Sequence, residues 1–101
     1  MTSKQRAYLR SLSNKIDPIF QVGKSGITDI LVKQIDEAIE ARELIKIHVL
    51  ETAPMSKKEI AEELALKLNA VLVQIMGSKI TLYRAKKKTI RKKIKIRRQM
   101  D

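Results

Sequence analysis

The sequence predicts one α/β domain, a four-stranded mixed sheet with helices packed mainly on one face, in the order α-β-α-β-α-β-β. Three observations predict it. Capping signals open three runs of helical periodicity. Short alternating or β-branched runs separate them, with links long enough for right-handed crossovers. The last two such runs, "AVLVQIM" and "KITLYR", are joined only by Gly77-Ser78, too short a link for anything but an antiparallel hairpin.

The elements follow in order. Thr2 and Gln5 form a capping box, and Tyr8, Leu9, Leu12 and Ile16 recur at helical spacing, predicting a helix over 3–14. Asp17-Pro18 stops it, because a residue before proline avoids the helical region. "PIFQVG" then reads as a short strand ending at Gly23. Thr28 caps a second helix, with Asp29 favourably placed in its first turn and an apolar stripe of Leu31, Ile35, Ala38 and Ile39. "LIKIHVL" alternates: Ile45, Ile47 and Val49 face the core, Lys46 and His48 the other side. Ser56 and Glu59 form a second capping box, and Ile60, Ala61, Leu64, Ala65 and Leu68 line the third helix, which Asn69 ends.

The chain has 101 residues, 44% of them hydrophobic, which suits one modest core. It has no cysteine, so disulfides and thiolate metal sites are excluded. No apolar run approaches the length of a membrane span, and "MTSKQRAYLR" has no apolar segment of the secretory kind, so the expected location is the cytoplasm. The net charge is +11 with a pI near 10.1. Residues 1–84 hold 13 basic and 10 acidic side chains, whereas 85–101 hold nine basic side chains against Asp101 alone. The expected organisation is a folded unit over 1–84 and a basic tail over 85–101, disordered or frayed when alone, with too little apolar content to join the core. Such a balance favours a polyanion.

"FQVGKSGIT" is the stretch with site chemistry. The helix after "GKS" invites comparison with a phosphate-binding P-loop, but that motif needs a glycine where this chain has Pro18. ATP hydrolysis is therefore not expected. What remains is G-x-x-G between a strand and a helix. Gly23 and Gly26 lack a Cβ, which lets a sugar-phosphate backbone come close. Lys24 brings charge, Ser25 a hydroxyl, and Thr28 heads a helix whose free N–H groups favour an anion.

At this point four segments, "KQRAYLRSL", "PIFQVGKSGIT", "QIDEAIEARELIKIHVL" and "AVLVQIMGSKITLYR", agree in order and spacing with a known pattern. The chain resembles the CRM domain (chloroplast RNA splicing and ribosome maturation) in its stand-alone bacterial YhbY-like form. The resemblance implies RNA binding, association with the precursor of the large ribosomal subunit, and a fold similar to the C-terminal domain of translation initiation factor three. The family's G-x-x-G maps onto Gly23, Lys24, Ser25 and Gly26. The basic tail is not a fixed part of the family pattern.

Further RNA contacts are expected at Lys79, Tyr83 and Arg84 and, in the tail, at Lys86, Lys87 and Lys88. Strand parity turns Tyr83 away from the helices, where a base could stack on it, and puts His48 on the outer sheet face within reach of RNA. His48 has no partner at metal or acid–base spacing, and Glu59, Glu62 and Glu63 form a solvated helix face. No catalytic residue, metal or cofactor is expected. The expected partner is RNA, ribosomal RNA of the large-subunit precursor, bound by a monomer without a small-molecule substrate or membrane. Two alternatives stand beside it: a module whose tail binds DNA or an anionic membrane surface, and a protein adaptor on the ribosome.

Overall fold

The computed structural model describes residues 2–85. The basic tail expected beyond them, with Lys86, Lys87 and Lys88, lies outside the described residues.

Seven elements follow in the predicted order: α1 (Ser3–Ser13), β1 (Phe20–Val22), α2 (Asp29–Arg42), β2 (Leu44–Val49), α3 (Lys57–Leu68), β3 (Val71–Met76) and β4 (Lys79–Tyr83). Both capping boxes form, at Thr2–Gln5 and Ser56–Glu59, and Thr28 accepts from the Leu31 N–H. Asn69 ends α3 in the left-handed region that a short polar side chain tolerates.

The strands lie in the order β1-β2-β4-β3. β1 runs parallel to β2, and β4 pairs antiparallel with both β2 and β3, the latter with an irregularity between Leu72 and Gln74. Gly77 opens the β3–β4 turn at φ +60, which a two-residue hairpin link asks of its first position.

The core fills one face of the sheet. Val22, Ile45, Ile47, Val49, Ile80 and Leu82 meet Ile35 and Ile39 of α2 and Ile60, Ala61, Leu64 and Leu68 of α3. The alternation read in "LIKIHV" is visible as strict alternation of burial along β2. The remaining helix, α1, lies on the opposite face. Its Ser13 hydroxyl hydrogen-bonds that of Thr81, Gln74 donates to Ser13 (3.3 Å), and Arg6 donates to the Leu72 carbonyl at the β3 edge (2.8 Å). Ser13 and Thr81 are buried polar groups that satisfy each other, as burial demands. α1 is short and covers only part of its face.

Candidate nucleic-acid interface

The strand directions decide what meets at each end of the sheet. β1 and β2 run the same way, so the segments leaving both emerge at one end, and each leads into a helix. The N-termini of α2 and α3, the glycine loop, the 50–56 connection and the β3–β4 turn therefore share one edge. Hydrogen bonds tie them together: Leu50 N–H to the Val22 carbonyl (2.8 Å), Val49 N–H to the Ser78 carbonyl (2.8 Å), and the Lys57 ammonium to the Gly77 carbonyl.

The G-x-x-G stretch is a closed turn. The Gly26 N–H donates to the Gly23 carbonyl (2.9 Å), which puts Lys24 and Ser25 at the two central, exposed corners. The glycines face inward. A Cβ on Gly26 would meet Pro54 Cγ at 3.1 Å, and Gly26 also sits at φ +67. A Cβ on Gly23 would meet Leu50 Cδ1 at 3.3 Å and Thr52 Oγ1 at 3.5 Å. Here the missing side chains let the loop pack on the 50–54 segment, and the outward surface belongs to Lys24 and Ser25.

Thr28 follows as the N-cap of α2, its hydroxyl accepting from the Leu31 N–H at 3.1 Å. The N–H groups of Asp29 and Ile30 have no partner among the described residues and point past the helix start. Lys57, Lys58 and Lys79 join Lys24 on this edge, all exposed. Asp29, Glu51 and Glu59 are also there, with Glu59 engaged in its cap. The edge thus mixes exposed lysines with carboxylates and carries no strong net field.

The remaining expected residues separate. Lys79 stands at the glycine-loop end, paired across the strands with His48 and Met76. Tyr83 lies at the far end, half-buried, in an open cleft of about 580 Å³ that it lines with Tyr8, Leu9, Leu12, Leu44 and Val71. It does point away from α2 and α3, but toward α1. Arg84 is not brought to the surface: only 8% exposed, its guanidinium donates to the Asp36 carboxylate (2.7 Å), the Leu68 carbonyl (2.7 Å), the Asp36 carbonyl (3.3 Å) and the Glu40 carboxylate (3.4 Å). That geometry corrects the reading of Arg84 as a phosphate contact or a solvated strand end: it ties β4 to α2 and the end of α3. Sequence reasoning passed over Lys57, Lys58 and the β3–β4 turn as members of the site. The signal was there, because the capping box fixes where α3 starts and the parallel strands fix at which end.

Among the described residues no group of three His, Cys, Asp or Glu side chains could hold a metal ion, and no helix is long and apolar enough to cross a membrane.

Comparison with known proteins agrees on one family. The model of the CRS1/YhbY (CRM) domain matches residues 1–84. The chain is 47% identical to the Probable RNA-binding protein YqeI of Bacillus subtilis, over 86% of this chain and 91% of that one. It is 29% identical to a protein of Haemophilus influenzae named RNA-binding protein, over 83% of this chain and 85% of that one. The solution structure of SAV1595 from Staphylococcus aureus superposes with a TM-score of 0.74 at 53% identity, covering 86% of this chain and 91% of that one.

Proposed function

The chain belongs to the CRS1/YhbY (CRM) domain family, and on that premise we propose that it is a non-enzymatic RNA-binding protein that grips the sugar-phosphate backbone with its glycine turn. The observation that carries this is the turn itself: its closing hydrogen bond and inward-facing glycines leave Lys24 and Ser25 as the exposed corner, beside the unpartnered N–H groups that open α2. The names of the relatives support RNA as the polymer. The family resemblance supports ribosomal RNA of the large-subunit precursor, and the proposal further takes the protein to act as a monomer in the cytoplasm. The nine basic side chains of 85–101 supply affinity that does not depend on sequence.

The test is a titration of structured RNA with the full chain, a Lys24→Ala, Ser25→Ala double variant, and a chain lacking 86–101. The double variant is expected to bind more weakly at an unchanged melting temperature. The truncated chain is expected to keep its preference among RNAs while losing a slope of roughly 0.7–0.9 in log affinity against log salt for each phosphate the tail contacted. A double variant of full affinity removes the loop from the site. Because the charge is concentrated in the tail, the second reading is a tail that binds any polyanion. Equal affinity for RNA, duplex DNA and anionic vesicles favours it. RNA cross-linked to the protein in cells identifies the natural partner.

A further inference from the structure

One row of side chains crosses the whole sheet at the glycine-loop end. Gln21 of β1 pairs with His48 of β2, His48 with Lys79 of β4, and Lys79 with Met76 of β3. Direct partners on neighbouring strands share a face. This face is the one opposite α2 and α3, because Gln21 and His48 alternate with the buried Val22, Ile47 and Val49. α1 does not reach the row: its last residue, Ser13, lies over Thr81 and Gln74, one row further on.

Of the row, Met76 alone is ill suited to bare solvent. Met76 is 57% exposed although it ends a sheet strand. His48 is half-buried, and Gln21 and Lys79 are exposed. A thioether and an imidazole offer soft faces for a planar ring. An amide and an ammonium offer donors to ring nitrogens, carbonyls or phosphate. None of the four is acidic, so the row complements a polyanion, and it is continuous with Lys24 and Ser25, because Gln21 lies two residues before the glycine turn.

We infer that Gln21, His48, Lys79 and Met76 form a platform for the bases of two or three unpaired nucleotides whose phosphates are held at the glycine turn. The inference rests on the backbone-gripping role proposed for that turn and adds the class of RNA it takes: single-stranded segments, loops or bulges. Four strands at about 4.8 Å spacing give a platform about 14 Å wide, a scale on which four-stranded sheets accommodate a few bases. α1 stands beside it on the same face as a wall. A flexible strand can lie down in that step, with its bases turned onto the sheet. A duplex keeps its base faces stacked internally and has nothing to offer Met76 or His48.

The experiment compares the full chain with a His48→Ala, Met76→Ala double variant and, separately, a Lys79→Glu variant. Each is titrated with a mixed-sequence single-stranded RNA and with a blunt duplex of the same sequence. Both row variants are expected to lose roughly fivefold or more on the single strand. His48→Ala, Met76→Ala is expected to hold its duplex affinity within about twofold, since stacking partners do not contribute there. All four residues are at least partly exposed, and thermal melting checks that the variants fold. Equal losses on both RNAs would reduce the row to general surface and overturn the platform. No loss on either would overturn it as well, leaving the row to a protein contact. The Lys24→Ala, Ser25→Ala variant separates the two proposals. If it is weakened while the row variants are not, only the platform fails. If it binds normally, the backbone-gripping role fails as well.

Discussion

The two ends of the sheet place similar cations in opposite surroundings. At the glycine-loop end, Lys24, Lys58 and Lys79 stand exposed, with no ion pair among the described residues. At the other end Arg84 is buried and engaged by two carboxylates and two carbonyls. Both ends carry cations; what differs is where the donors go. The two terminal nitrogens of Arg84 are engaged internally, where a planar guanidinium can satisfy several fixed acceptors at once, while its buried Nε has no partner among the described residues. The exposed lysines keep their donors open to solvent and to the phosphates of the proposed partner. Position decides whether a basic residue on this sheet is engaged by the fold or left exposed for the ligand proposed above.

The sharpest way to break that contrast is Arg84→Ala. Removing the guanidinium leaves the Leu68 carbonyl without its donor and breaks the side-chain tie to α2, leaving the backbone bond from residue 84 to the Glu43 carbonyl in place. Hydrogen bonds to a charged group are each worth about 1.5–3 kcal/mol. The exposed side of Asp36 can regain water, so the expected total is about 2–3 kcal/mol rather than several bonds' worth. For a domain of this size that lowers the melting temperature by on the order of 10 °C. RNA affinity measured well below the transition is expected to stay unchanged. An affinity loss with no thermal change would move Arg84 back into the interface.

Next in size is Gly26→Ala. The left-handed φ costs a side chain about 1–2 kcal/mol, and Pro54 Cγ, a rigid ring atom, crowds the new Cβ at 3.1 Å. Gly23→Ala meets mainly the end of the Leu50 side chain, which can move, and the Thr52 hydroxyl; its φ is not in the left-handed region. The expected order of melting temperatures, followed by differential scanning fluorimetry, is wild type, Gly23→Ala, Gly26→Ala. The reverse order would mean that the loop's packing on the 50–54 segment is not what requires glycine. This pair refines the first contrast: even at the end proposed to face the ligand, the glycines pack against the fold.

The two ends were not equally legible. The element order was, because capping boxes and alternation are local signals: Thr2, Ser56 and the "LIKIHV" run each state their own structure. The loop's exposed corner was legible too, since Lys24 and Ser25 lie between the glycines in sequence. Arg84 was not. Its role depends on Asp36, Glu40 and Leu68 converging from two helices, and nothing local to "LYR" marks that meeting. The stripe Tyr8, Leu9, Leu12 says that α1 has a side to pack, but not onto which face of the sheet. Leu9 is buried there while Tyr8 remains 65% exposed. The direction of the Gly23 and Gly26 Cβ positions was likewise hidden, because it depends on where Leu50 and Pro54 return.

The smallest expected effect tests whether the proposed RNA contact extends beyond the glycine turn. Lys57 opens α3, and its ammonium donates to the Gly77 carbonyl, which holds it over the β3–β4 turn on the same edge as Lys24. The contact is exposed, so Lys57→Ala should change stability by no more than about 0.5 kcal/mol. If the RNA backbone runs from the glycine turn toward the β3–β4 turn, Lys57 meets one phosphate along the way. Its loss should then flatten the plot of log affinity against log salt by roughly 0.7–0.9, the share of one phosphate contact. Lys24→Ala is expected to do the same, and the double variant to lose about twice that slope, because separated phosphate contacts release their counterions independently. Arg84→Ala, by contrast, should leave the slope untouched. A Lys57→Ala protein that keeps its full slope, beside a Lys24→Ala protein that does not, would confine the RNA to the glycine turn and the sheet face behind it. A Lys67→Ala control, on the last turn of α3 at the opposite end, should match wild type, since a residue there lies off the path of the strand.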